Sequence, residues 1–168
     1  MNRLVLWVSM FFCAMIQAIL PAWSELGQAK PPLLLGAVLY YALSRDDLQV
    51  VESAVLAGLL QDSLGPIPHG FSVLAFVIVA LLVNRYRERV FGDHWFTHVM
   101  IGIGSSALVC FILYLLLVGG GLRTGVGFAF VLSKALGMSL LGMVIIPLVY
   151  KIIESLDFHL GNVSRRRA

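Results

Sequence analysis

The chain has 168 residues, of which 60% are hydrophobic and only 12% are charged, and its formal net charge is +3. Its mean hydropathy is +0.93. This composition excludes a soluble globular domain and a disordered chain, and it indicates a protein of the lipid bilayer.

Six apolar runs follow one another along the chain, and each approaches the length of about 20 residues that a transmembrane helix needs. The runs lack the alternation of a membrane β-barrel, and backbone within hydrocarbon must satisfy its own hydrogen bonds, so we predict helices. Little sequence remains for a soluble domain. We therefore expect residues 1–168 to form a single integral membrane domain, an all-α polytopic bundle of about six transmembrane helices. The runs lie at 4–20, 31–43, 48–64, 67–84, 96–118 and 126–150.

The first run begins like a secretory signal peptide, with basic, apolar and small-residue regions. However, Ile19, Leu20 and Trp23 occupy the zone where a cleavage site requires small residues. We therefore expect this run to remain as the first helix. Cys13 and Cys110 lie inside apolar runs without metal-ligand spacing, and we interpret them as packing residues.

The basic residues predict the orientation, because cytoplasmic loops retain more Lys and Arg than outer loops. With six spans and both termini in the cytoplasm, nine basic residues are cytoplasmic, and two, Lys30 and Arg123, are outside. Only about 11 residues of the second run, from Leu33 to Leu43, are continuously apolar, which is short enough for a re-entrant or half-spanning segment. If runs two and three formed one span, a model with the N-terminus outside would score eight against two. This bias accounts for the positive net charge without a nucleic-acid partner. The nine are Arg3, Arg45, Arg85, Arg87, Arg89, Lys151, Arg165, Arg166 and Arg167.

The third run ends in the stretch GLLQDSLGPIPHG, residues 58–70, which places Asp62 in the last turn of an apolar helix. A helix C-terminus disfavours negative charge. A charged side chain within a bilayer also costs about 2.5 to 3.5 kcal/mol on insertion scales. Asp62 therefore needs donors from elsewhere in the fold.

Two donors are available to Asp62. One is the set of free backbone N–H groups at the start of the fourth helix, at Gly70, Phe71 and Ser72. The other is Lys134, the only basic residue deep inside a hydrophobic run. We favour a structural role in which Asp62 caps the fourth helix and Lys134 extends outward, and the ion pair between Asp62 and Lys134 is the alternative.

The sequence offers no catalytic constellation. Its histidines are scattered between opposite membrane faces, no Ser or Cys has a base at workable spacing, and no carboxylate pair recurs as in a metal site. We predict no enzyme activity, metal or cofactor. Small residues recur at four-residue spacing, which favours close helix contacts within the bundle. These pairs are Gly102 with Ser106, Ser133 with Gly137, and Ala135 with Ser139.

The stretch KPPLLLGAVLYYAL at 30–43, followed by the GLLQDSLGPIPHG stretch, resembles the rod shape-determining protein MreD family. The shared features are a second helix rich in proline and leucine, a helix end of the form Gly-x-x-x-Asp, and a turn to a glycine that starts the next helix. The matching residues are Pro31, Gly58, Asp62 and Gly70.

The resemblance implies a non-enzymatic, multi-pass subunit of the bacterial cytoplasmic (inner) membrane that supports rod shape and lateral peptidoglycan synthesis. It would bind the bitopic protein MreC, in an assembly with the MreB filament, the RodA glycosyltransferase and its partner transpeptidase. The expected binding surface is the turn 62–70, in which Gly65, Pro66 and Pro68 restrict the backbone, together with Phe71 and the outer ends of helices two and four.

An alternative function is the substrate-binding membrane component of a vitamin-type transporter, which the family resembles in helix number and size. Such a protein should present several polar and aromatic side chains that converge from the outer loops. Only SELGQAK and GGGLRTG are polar there, which favours the first interpretation.

Overall fold

The computed structural model describes residues 2–21, 23, 29–65, 70–86, 95–120 and 128–159. Within these residues the predicted runs form six α-helices and no strand longer than one bridge between Trp23 and Ala29. The helices are α1 (Asn2–Ile19), α2 (Leu33–Ser44), α3 (Asp47–Leu64), α4 (Phe71–Tyr86), α5 (Trp95–Gly119) and α6 (Phe128–His159).

The last helix continues well beyond residue 150, where the sequence analysis ended it. Its final turns are amphipathic, because Ile153 and Asp157 are buried whereas Lys151 and Glu154 are exposed. Polar residues at helical spacing interrupt an apolar run without interrupting a helix. The apolar run therefore underestimated the length of the last helix.

A short chain segment separates α2 from α3, so runs two and three form two helices rather than one continuous helix. Arg45 has an extended backbone with φ −127° and ψ 171°. Asp46 is the N-cap of α3, where its carbonyl oxygen accepts the first helical hydrogen bond from the Val50 N–H at 3.1 Å. An acidic residue in the first turn, Asp47, also suits a helix start because the helix dipole favours negative charge there.

Helix α2 occupies the centre of the bundle, in contact with α1, α3, α4 and α6. Every residue from Leu34 to Ala42 is buried. Its 12 residues extend about 18 Å at the helical rise. That length is well below the roughly 30 Å of a hydrocarbon core, so α2 is a short central helix surrounded by longer neighbours.

Contacts at the two ends of the bundle show that successive helices alternate in direction. At one end, which we call the Asp62 end, Asp62 at the end of α3 meets Gly70 at the start of α4. At the other, the Arg45 end, Asp47 at the start of α3 meets Asn84 at the end of α4, and Arg45 meets Asp157 near the end of α6. The start of α1 and the end of α6 both lie at the Arg45 end.

Two segments of the described residues are long and apolar enough to cross a membrane, Thr97–Gly119 in α5 and Phe130–Phe158 in α6. The segments Arg3–Ile19, Leu33–Ser44 and Phe71–Tyr86 are apolar but shorter. Much of the surface of α5 and α6 consists of exposed aliphatic and aromatic side chains. Such a surface is suited to lipid rather than to water.

Small residues bring the helix backbones close together, as predicted for contacts within the bundle. Gly102 and Ser106 of α5 pack directly against Gly142 of α6, and a Cβ atom on Gly102 would lie 2.9 Å from the Gly142 carbonyl oxygen. Ser139 is buried at the same interface. Ser133 is exposed and bonds within its own helix, so it takes no part in this packing.

Gly58 makes the closest approach between α3 and α4. A Cβ atom at Gly58 would overlap the backbone of Val73 and come within 2.6 Å of its nitrogen. Since backbone cannot move aside as a flexible side chain can, no other residue fits this position without separating the two helices.

We predict that Gly58→Ala destabilises the protein by about 1 to 3 kcal/mol, the usual cost of overpacking. Thermal unfolding in detergent, followed by size-exclusion chromatography, measures the effect. Gly104→Ala is the matched control, because a Cβ atom at Gly104 meets nothing within 4 Å. Equal unfolding temperatures for the two variants would contradict the packing argument.

Candidate functional site: two buried polar clusters

The carboxylate of Asp62 caps α4, as the favoured interpretation of the sequence predicted. The Gly70 N–H donates to Asp62 Oδ2 at 2.6 Å, and the Ser72 N–H donates to Oδ1 at 3.1 Å. Asp62 is 1% exposed. Gly70 has a φ of +100°, a conformation that side chains other than glycine rarely adopt. This backbone conformation presents its N–H to the carboxylate.

A second cap at the same end is made by Gln17 of α1. Its Oε1 accepts a hydrogen bond from the Leu34 N–H in the first turn of α2 at 3.1 Å, and its Nε2 donates to Gln61 Oε1 at 2.6 Å. Pro31 and Pro32, which precede α2, are buried. Gln61 and Asp62, the two polar residues in the middle of GLLQDSLGPIPHG, thus both serve to hold the starts of neighbouring helices.

The contacts of the described residues do not include the alternative ion pair between Asp62 and Lys134. Of the residues that the structure describes, Arg3 with Glu52 and Arg45 with Asp157 form ion pairs, and neither includes Asp62 or Lys134. Both oxygens of Asp62 already accept backbone N–H groups, so its charge is compensated without a cation. Lys134 is half-buried on α6.

The residues of the family motif and of the predicted binding surface divide into buried and accessible ones. Pro31 and Gly58 are buried, like Asp62, and they build the fold rather than its surface. Gly65 and Phe71 are partly exposed, and Gly70 is exposed. Pro66 and Pro68 lie outside the described residues.

At the Arg45 end a second cluster surrounds Asp157, which is 1% exposed. Arg45 Nη2 donates to Asp157 Oδ2 at 2.7 Å, and the Tyr40 hydroxyl donates to the same oxygen at 2.7 Å. The Arg45 side chain is 11% exposed. A buried carboxylate with two charge-assisted or hydroxyl donors is tolerated because its desolvation is offset by short hydrogen bonds.

Aromatic rings extend this cluster to the other helices. Tyr40 makes edge-to-face contacts with Tyr41 at 5.3 Å and with Tyr150 at 5.1 Å between ring centroids. Tyr150 in turn contacts the ring of His98 at 4.3 Å. Since the Tyr41 hydroxyl also shares a hydrogen bond with Ser9 of α1 at 3.0 Å, the cluster connects α1, α2, α5 and α6.

The sequence analysis missed this second cluster. Arg45 entered only as one of the cytoplasmic basic residues, and Asp157 was not singled out. A signal was available, because Asp157 lies near the end of α6 just as Asp62 lies near the end of α3. An acid at a helix C-terminus works against the dipole and therefore indicates a partner from another element.

Both clusters connect helix ends through hydrogen bonds. Each carboxylate is occupied by donors that join two helices, and no group of three or more His, Cys, Asp or Glu among the described residues could hold a metal ion. The two clusters lie at opposite ends of the bundle, and each fixes the position of a helix end.

We predict that Asp62→Leu lowers stability by about 1 to 3 kcal/mol for each N–H that loses its acceptor. Asp62→Asn, which keeps one acceptor oxygen, should lose less. Because no ion pair is present, Lys134→Met combined with Asp62→Leu should give additive losses within about 0.5 kcal/mol. Unfolding in detergent measures the wild type, Asp62→Asn, the two single variants Asp62→Leu and Lys134→Met, and their double variant. A double variant more stable than the sum of the two single losses predicts would support the ion pair.

We predict that Asp157→Asn costs more, about 3 to 5 kcal/mol, because it leaves the buried Arg45 guanidinium without a counter-charge. Glu154→Gln, on the same helix but exposed, is the control and should unfold like the wild type. Chemical or thermal unfolding in detergent distinguishes them, and a small effect of Asp157→Asn would show that this cluster does not stabilise the bundle.

Comparison with known proteins gives one family. Residues 1–157 match the family described as rod shape-determining protein MreD. No curated protein and no solved structure matches the chain. The match covers all six helices almost completely, including both capped helix starts and Asp157. The chain therefore belongs to the rod shape-determining protein MreD family of membrane proteins.

Proposed function

We propose that this rod shape-determining membrane protein is a non-enzymatic scaffold that holds an MreC-like bitopic partner. Through that partner it would join the MreB filament, the RodA-type glycosyltransferase and its transpeptidase in lateral peptidoglycan synthesis. The observation that carries the proposal is the capped turn at the Asp62 end, since the residues that match the family motif build it.

The accessible part of that turn is the surface we assign to the partner. Gly70 is exposed, Phe71 is partly exposed, and Leu74, one helical turn further along α4, is 47% exposed. Asp62 holds these residues in place from inside the bundle. A surface that Asp62 holds in place loses less conformational entropy on binding than a free one, which favours recognition of another helix.

The same proposal orients the protein in the bacterial cytoplasmic membrane. Arg3, Arg85 and Lys151 are exposed at the Arg45 end, whereas Lys30 is exposed at the Asp62 end. The positive-inside rule then assigns the Arg45 end and both termini to the cytoplasm. The six helices would form a multi-pass bundle, with the short α2 shielded from lipid by its neighbours.

We expect depletion of the protein to round a rod-shaped bacterium, and we expect Gly70→Leu and Leu74→Ala to weaken co-purification of the partner. Leu74→Ala avoids the backbone strain that Gly70→Leu introduces. Leu81→Ala is the matched control, since Leu81 is 43% exposed on the same helix, two turns nearer the Arg45 end. Partner recovery by quantitative pull-down is the measurement.

Insertion is verified in the same strains. In a version without Cys13 and Cys110, an external thiol reagent should label Gly121→Cys but not Arg166→Cys. Normal rods on depletion, or no partner recovered with correctly inserted protein, would overturn the proposal. Binding of a vitamin by the purified protein would then favour the transporter component.

A further inference from the structure

A groove of about 420 Å³ runs between α1 and α3 on the outer surface of the bundle. Its floor and walls are mostly aliphatic, with Leu48 at one end and Leu59 at the other. Both of these side chains are largely exposed, at 66% and 47%. None of the contacts described for the two polar clusters involves this groove, and the partner surface at Gly70 and Leu74 belongs to α4, which does not line it.

One end of the groove is polar. Arg3 and Trp7 of α1 face Glu52 of α3, with 3.7 Å between Arg3 Nε and Glu52 Oε2 and 3.2 Å between Trp7 Nε1 and Glu52 Oε1. The Arg3 side chain is 65% exposed, whereas that of Glu52 is 25% exposed. Glu52 thus orients Arg3 and Trp7 from the protein side. The outer side of the Arg3 guanidinium remains accessible to a second anion.

The apolar part of the groove is shorter than one leaflet of a bilayer. Glu52, at the polar end, and Leu59 are separated by about 10 Å along the helix axis at the rise of an α-helix. Half of a hydrocarbon core of roughly 30 Å is about 15 Å. A guanidinium and an indole at one end, followed by this apolar trough, complement a phosphate and the upper part of one acyl chain.

A protein helix is a poorer occupant. Stable protein interfaces bury about 1,200 to 2,000 Å² in total, whereas this groove is narrow and is lined by short stretches of two helices. Its volume of about 420 Å³ falls in the range of roughly 300 to 1,000 Å³ that is usual for small ligands.

We propose that the groove between α1 and α3 binds one glycerophospholipid from the leaflet at the Arg45 end, with the phosphate on Arg3 and an acyl chain along α3 from Glu52 to Leu59. Trp7 lies at the boundary between headgroup and chain, where indole rings are favoured. The lipid would fill the space between two helices that are otherwise joined at the other end by the Gln17 to Gln61 hydrogen bond. This site is independent of the partner assigned above.

The test uses Trp7 as its own probe. Trp23→Phe and Trp95→Phe leave Trp7 as the single tryptophan of the full-length protein, which is reconstituted in phosphatidylcholine vesicles. Small amounts of brominated phosphatidylcholine or brominated diacylglycerol with the same chains are added, and quenching of Trp7 reports which lipid occupies the groove. We expect the phospholipid to be preferred about tenfold, the order of one hydrogen bond to a charged group, because diacylglycerol offers no phosphate to Arg3.

Three variants decide the outcome. Arg3→Gln should abolish the preference, whereas Arg85→Gln, an exposed arginine at the same end, should keep it. Val55→Phe, which fills the groove without removing Arg3, should reduce quenching by both lipids. Equal quenching by both lipids in the parent protein, or equal effects of Arg3→Gln and Arg85→Gln, would overturn the proposal. So would cross-linking of a protein helix to Val55→Cys together with weak quenching by either lipid.

Discussion

The need to satisfy helix starts inside a bilayer is the constraint on which this structure depends. A helix leaves its first N–H groups without partners, and hydrocarbon offers no water to replace them. Here side chains from the preceding helices supply the acceptors. Asp62 of α3 caps α4, and Gln17 of α1 caps α2. Because these acceptors come from neighbouring helices, each cap also fixes how two helices are placed. The short α2 can therefore lie at the centre of the bundle, where nearly all of its length is buried.

At the Arg45 end, an ion pair rather than a helix cap holds the helices together. Arg45 and Tyr40 both donate to the buried carboxylate of Asp157, which ties the end of α2 to the end of α6. Between the two ends the helices approach through glycine, at Gly58 and at Gly102. Lipid tails are as apolar as the side chains, so association in a membrane rests on close packing and polar contacts. In this bundle the polar contacts lie at the two ends, and the close glycine contacts lie between them.

Buried residues of the bundle fix the position of exposed ones, and this explains how a family motif can be largely buried and still bear on function. The rod shape-determining protein MreD family includes this chain, and the matched aspartate lies inside the fold, where it sets the position of the exposed Gly70 and its neighbour Phe71. The proposed scaffold function depends on such a fixed surface. The groove at Arg3 adds a second exposed feature on α1 and α3, with a chemistry suited to lipid.

Hydrophobic runs alone predicted the all-helical class and most of the helix bounds, because each residue in hydrocarbon must be apolar or paired. The cap at Asp62 was also predictable, since an acid at a helix C-terminus has no local partner and the next helix begins within reach. The tertiary structure decided what the runs could not. It separated α2 from α3, buried α2, and paired Asp157 with Arg45, which lie far apart in the chain. Contacts between distant residues depend on which faces of the helices meet, and helix packing, rather than local sequence, sets those faces.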